Sequence, residues 1–154
     1  MKNFLYIAIL IPSLAFANGA NVGYSSIGDS DVTLGALSAS YEWNHENNWS
    51  TELGFMLGIN DDSYTDVDND QVSVEIDNAY FAKFKYNIND KFYAGITIAD
   101  ITLDATVNVN GTTMSGSGSD TQKGLGLGYR LTKNFEISFD KLDDVDSLNF
   151  QYKF

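Results

Sequence analysis

Residues 37–43, Leu37-Ser38-Ala39-Ser40-Tyr41-Glu42-Trp43, put apolar side chains at the odd positions and polar ones at the even positions. Successive side chains of an extended chain point to opposite sides, so this stretch separates a greasy face from a polar one. The division recurs downstream. Trp49, Leu53, Phe55, Leu57 and Ile59 stand against Glu52, Gly54, Met56 and Gly58, and Tyr80, Phe84 and Tyr86 against Lys83 and Lys85. Leu125, Leu127, Tyr129 and Leu131 alternate with Gly124, Gly126, Gly128 and Arg130. No stretch beyond Asn18 sustains a helical period, so this part of the chain reads as all-β. Counting the segments predicts eight strands, near 20–28, 32–44, 48–60, 71–87, 91–109, 112–131, 134–142 and 146–154.

Alternation suits a barrel in water as well as one in lipid, and the chemistry of the two faces separates them. Tyr41, Trp43, Trp49, Tyr86, Phe92, Phe135, Tyr152 and Phe154 lie at strand ends on the apolar parity, as an interfacial aromatic girdle requires. Charges fall on the other parity. The connections His45–Asn48, Asn87–Lys91 and Thr132–Asn134 are short, whereas those on the opposite side are longer or acidic. They include Asp61–Asp70 and a protruding strand pair closed by an Asn110-Gly111 hairpin turn. The expected fold is an eight-stranded antiparallel up-and-down transmembrane β-barrel with short periplasmic turns. One irregularity stands out: the apolar parity switches between Ile98 and Ile101, through either a β-bulge or the strand's exit from lipid. Without a bulge Asp100 would face hydrocarbon.

Residues 1–17 carry Lys2, an apolar run from Phe4 to Ile11, Pro12 and the small-residue end Ala15-Phe16-Ala17. This run is shorter than the roughly 20 residues of a spanning helix and closes on a cleavage pattern. Residues 1–17 are therefore expected to be a cleaved signal peptide, and 18–154 the barrel domain. Cleavage removes one lysine and the only proline, taking the net charge from −12 to −13 and leaving every backbone N–H available to a sheet ladder.

The ending Leu148, Phe150, Tyr152, Phe154 has an aromatic last residue and apolar residues at every second position before it. It resembles the C-terminal signature of bacterial outer-membrane β-barrels. With the signal peptide and eight strands, the whole mature length looks like an OmpA/OmpX-type small barrel of Gram-negative bacteria. The resemblance implies an outer-membrane location, reading of Phe150, Tyr152 and Phe154 by the barrel-assembly machinery, and contact with outer-membrane lipids and lipopolysaccharide. It leaves the role open, because this architecture hosts plugs, adhesins, enzymes and small channels.

Assigning the polar parity to the interior places Glu42, Glu52, Glu136 and Asp140 there with Lys83, Lys85, Arg130 and Lys153, four charges of each sign. Eight strands enclose only enough space for side chains, so these groups should pair into a charge-balanced core. The sharper alternative is a porin-like ion path opened by exchange of partners. With the lumen neutral, the net negative charge belongs to loops and strand ends, mostly on the outer side, as an acidic surface for an extracellular ligand. Asp66, Asp68 and Asp70 imitate the first three ligands of a calcium loop, but Gln71 and Asp77 stand where such a loop needs Gly and Glu. A solvated acidic loop is the default reading, and loose Ca²⁺ or Mg²⁺ binding, bridging to lipopolysaccharide, the alternative.

Other chemistries find little support. The acidic balance, with a pI near 4.1, offers no basic patch for nucleic acid. The absence of cysteine excludes disulfides and thiolate metal sites. His45, the only histidine, sits in a predicted turn before Glu46 and Asn47, without the His-x-Ser arrangement of the lipid A deacylase barrels. Glu42 and Glu52 flank a turn inside a closed lumen that no glycoside would reach. Gly124-Leu-Gly126-Leu-Gly128 reads as a strand with small residues facing a crowded lumen, and Ser115–Ser119 as flexible surface sequence. The chain is expected to be non-enzymatic and to need no cofactor.

Overall fold

β-Branched and aromatic residues at alternate positions favour extended backbone, and in the computed structural model this tendency runs through almost the whole described chain. The structure describes residues 19–66, 70–109 and 112–154. The predicted signal peptide, Asp68 and the Asn110-Gly111 turn lie outside them. The strands are β1 (Ala20–Gly28), β2 (Thr33–Asn44), β3 (Trp49–Gly58), β4 (Asp61–Thr65), β5 (Gln71–Asn87), β6 (Phe92–Val109), β7 (Thr112–Arg130), β8 (Phe135–Leu142) and β9 (Asp146–Lys153). Sequence neighbours pair antiparallel, except that β3 pairs on its far side with β5 rather than β4, and β9 closes the ring on β1 through Asn21↔Lys153 to Gly28↔Asp146. Closure gives every wall strand two partners, which lipid demands, because no water there satisfies an open edge.

The wall has eight strands, because β4 continues β3 after a break at Ile59 and Asn60 and pairs only with β5, from Asp61↔Glu75 to Thr65↔Gln71. Asp61–Asp70, expected as a loop, is therefore half strand. Outside the bilayer both faces of a strand meet water, so Asp-Asp-Ser-Tyr-Thr carries no alternation to betray it. Where β3 leaves β2, side chains replace the ladder: Asn60 Oδ1 accepts from the Gly35 N–H and Asp62 Oδ2 from that of Thr33, at 2.5 and 2.8 Å.

No bulge occurs in β6 between Ile98 and Ile101, since its register with β7 runs unbroken from Phe92↔Tyr129 to Val109↔Thr112. The strand leaves the apolar belt there. Asp100 points outward and accepts a hydrogen bond from Thr121 Oγ1 at 3.1 Å, where the outer face of β7 changes from Leu125 to Lys123 and Thr121. The bulge falls one strand away, in β5, where the register shifts between Ile76 and Asn78. It moves the lumen-facing parity, so Ile76 above the bulge and Ala79 and Phe81 below it are all buried inside.

The outer surface below Asp100 is apolar, with exposed Phe84, Ile96, Leu125, Leu127 and Phe139. At the periplasmic end Trp43, Trp49, Phe92 and Tyr152 form the girdle, with ring pairs Tyr41–Trp43, Trp49–Tyr86, Phe92–Tyr129 and Tyr152–Phe154 at 4.6, 5.1, 4.7 and 5.2 Å. A membrane strand needs about 9–11 residues, whereas β6 has 18 and β7 has 19, so this pair projects well beyond the belt.

Candidate functional site

The lumen divides along its axis. Its periplasmic half collects the charges, and Glu42 and Glu52 lie directly opposite each other on β2 and β3. Like charges so placed repel, and Lys85 reaching across from β5 offsets them. Its side chain is fully buried, with Nζ 3.0 Å from Glu42, 2.6 Å from Glu52 and 3.2 Å from Glu136. Toward the periplasmic opening, Arg130 Nε is 3.3 Å from Glu136, and Lys153 Nζ is 2.6 Å from Glu42 and 3.0 Å from Glu136. Deeper inside, Lys83 pairs with Asp140 at 2.8 Å. All eight charged residues expected in the lumen are there, and each touches an opposite charge.

Neutral groups complete the network. Gln151 donates to Glu52 at 2.7 Å, and Thr97 and Asn149 donate to Asp140 at 2.6 and 2.8 Å. Tyr93, which the sequence reasoning missed, is buried, donates its hydroxyl to Glu136 Oε1 at 2.7 Å, and lies with its ring centroid 4.8 Å from Lys85 Nζ. The available signal was parity, since Tyr93 shares that of Thr97 and Ala99, whereas the girdle aromatic Phe92 does not. The ring fits because its register partner is Gly128, where a Cβ would lie 2.1 Å from it. Gly126 likewise makes room for Asp140, whose Oδ1 would be 2.2 Å from an added Cβ.

The outer half of the lumen is apolar, contrary to an interior made of polar parity alone. Ile27, Leu34, Met56, Ile76, Phe81 and Ile101 form one buried cluster there. Between the halves a cavity of about 20 Å³ is bounded by Ser38, Phe81, Lys83, Asp140 and Asn149, among others, room for about one water. The periplasmic opening holds a polar hollow of about 330 Å³ beside Glu42, Asn87, Arg130 and Lys153. The outer mouth holds a second, mainly apolar, of about 280 Å³.

The remaining candidates do not assemble. His45 Nε2 lies 2.9 Å from Thr51 Oγ1 in the exposed periplasmic turn, but among the described residues no acidic side chain hydrogen-bonds the ring to orient it as a base. The Asp66 N–H donates to the Asp70 carbonyl at 2.9 Å, and Gln71 and Asp77, which stand where a calcium loop needs Gly and Glu, lie in β5. Among the described residues no three His, Cys, Asp or Glu side chains converge for a metal. The outer end is nonetheless strongly anionic: among the described residues Asp29, Asp31, Asp61, Asp62, Asp143 and Asp144 lie in its connections and β4, against only Lys123 and Lys141, the latter 2.7 Å from Asp146. The carboxyls of Asp29, accepting the N–H groups of Asp31 and Val32, and Asp62, accepting those of Thr33 and Ser63, are held below the usual range.

An even-stranded closed barrel with a lipid-facing belt, an aromatic girdle and polar residues sealed inside defines the class of outer-membrane β-barrels. Residues 13–149 match the outer membrane protein beta-barrel domain, and the chain belongs to that family. Membership assigns it to the outer membrane. No curated protein matches it. Among solved structures it is similar to Ail, the attachment invasion locus protein of Yersinia pestis, with a TM-score of 0.56 and 20% identity over 90% of this chain and 100% of that one. A second Ail structure, in complex with the heparin analogue sucrose octasulfate, gives 0.54 and 20%, covering 88% and 96%. The N-terminal β-barrel domain of Pseudomonas aeruginosa OprF gives 0.55 and 15%, covering 89% and 98%. Together they match the small OmpA/OmpX-type barrel in fold.

Proposed function

We propose that this chain is a non-enzymatic outer-membrane anchor: its ion-paired lumen is a structural plug, and its acidic outer end meets ligands or surfaces outside the cell. The observation that carries the reading is the lumen, where every charge is matched and the space between the halves is about 20 Å³. Ions crossing it would have to part buried pairs in a low dielectric, which is costly. The acidic outer end favours cationic partners. A polyanion such as the heparin analogue bound by Ail would meet only Lys123 and Lys141 there. Contact with lipopolysaccharide, itself anionic, would run through divalent cations. In this reading the predicted signal peptide is cleaved after Ala17, and Phe150, Tyr152 and Phe154 guide assembly.

The test is planar-bilayer conductance of the refolded chain, with folding verified by heat-dependent gel migration. Silence is expected. Discrete, reproducible channels that change in Arg130→Ala would replace the plug with a small porin-like pore.

A further inference from the structure

The outer hollow differs from the rest of the lumen in leaving apolar side chains facing water inside a concavity. The buried side chains of Ile27, Leu34, Ile76 and Ile101 form its floor, and above that floor Val32, Val74 and Val145 are only partly buried while Leu103 is 36% exposed. At about 280 Å³ the hollow sits at the small end of ligand pockets, which are concave, mostly apolar and marked by a few placed polar groups. Those polar groups are acidic. Asp29 comes from the β1–β2 turn, Asp120 from β7 and Asp144 from the β8–β9 turn, and among the described residues no Lys or Arg lines the hollow. Asp120 and Asp144 share one neutral donor, the Gln122 amide, which bonds Asp120 and lies 3.0 Å from Asp144, while the Asp144 N–H donates to Gln122 Oε1 at 2.9 Å. Two carboxylates therefore meet across the rim with an amide between them and no counter-charge in the lining.

We infer that the outer mouth is a binding site for a small amphiphilic organic cation, an alkyl or aryl body carrying one ammonium group. The body fills the cup over Val74, Leu103 and Val145, where it removes apolar surface from water. The ammonium lies at the rim beside Asp120 and Asp144, where an ion-paired hydrogen bond, charged on both sides, can replace one from the uncharged Gln122 amide. An anion of the same shape is repelled, and a neutral one gains only the apolar part. The inference rests on the reading of the acidic end as the ligand-facing end, and it gives that end a ligand class.

The test uses the refolded chain in phosphatidylcholine nanodiscs, titrated with phenethylammonium and followed by the methyl resonances of Val74, Leu103 and Val145. Empty nanodiscs measure partition into lipid. Saturable shifts are expected, at least fivefold tighter than with 2-phenylethanol and absent with 3-phenylpropanoate. Val145→Trp, which fills the cup from a turn, should weaken phenethylammonium at least tenfold, and Asp144→Asn about fivefold. If Val145→Trp fails the heat-dependent gel assay for folding, Leu103→Trp serves in its place. Shifts that never saturate, an alcohol that binds as tightly as the amine, or equal binding in the folded cup-filling variant would each overturn the site. A barrel that binds the amine but also conducts would overturn the structural plug and leave the cup standing.

Discussion

Replacing Lys85 by methionine removes the charge at the centre of the lumen and keeps most of the side-chain volume. Three carboxylates lie 2.6–3.2 Å from its ammonium. Glu42 and Glu136 keep Lys153, 2.6 and 3.0 Å away, but Glu52 loses its one direct ion pair among the described residues. Stranding one buried carboxylate costs about 3–5 kcal/mol, and losing the cation above the Tyr93 ring adds about 0.5–2 kcal/mol. With a urea dependence of about 2 kcal/mol per molar, the unfolding midpoint should fall by about 2–3.5 M. Urea unfolding in lipid vesicles can be followed through Trp43 and Trp49, the only tryptophans, which stand on the lipid face 43% and 50% exposed. If the loss comes from the stranded charge, adding Glu52→Gln to Lys85→Met should return most of it. A single variant within about 0.5 kcal/mol of wild type, or a double variant as unstable as the single, would refute the account of the lumen as a matched ion cluster.

Tyr93→Phe should destabilise the barrel by about 1.5–3 kcal/mol, the worth of a hydrogen bond to a buried charge, in the same urea assay. Gly128→Ala should cost about 1–3 kcal/mol because its methyl would collide with the Tyr93 ring, whereas Gly118→Ala, with nothing within 4 Å, should leave the midpoint unchanged. The Asp29 carboxylate is held below its ordinary value by the N–H groups of Asp31 and Val32. Its contribution to the β1–β2 turn is therefore fully present above about pH 4 and lost as pH falls through the lower folded value. NMR should show the Asp31 and Val32 amides titrating together below pH 4, and Asp29→Asn should abolish that titration.

Much of the architecture was legible because a membrane barrel writes its faces into the chain with a period of two. The alternation at Leu37–Trp43 and Leu125–Leu131 named the lipid face, and the opposite parity named all eight lumen charges. Where that contrast fades, the reading faded too. Asp61–Thr65 is a strand outside the bilayer, wet on both faces, and so passed for a loop. The parity change near Asp100 was visible, but it needed no bulge in β6: the strand leaves the apolar belt there while the lumen on its inner face turns apolar at Ala99 and Ile101. Tyr93 hid among the girdle aromatics, since a ring beside polar residues does not announce that a glycine across the sheet has made room for it.

The sequence by itself determined the class of fold, the strand count of the wall and which side chains turn inward, because each depends on neighbours two residues apart. Only the closed barrel decided which acid meets which base, since Lys85 and Glu42 are 43 residues apart and Lys153 and Glu42 are 111. It also decided that the outer half of the lumen is apolar and opens as a cup under an acidic rim. Those features depend on strand register and on the bulge that sets it, and register is a property of pairs of strands rather than of any one of them.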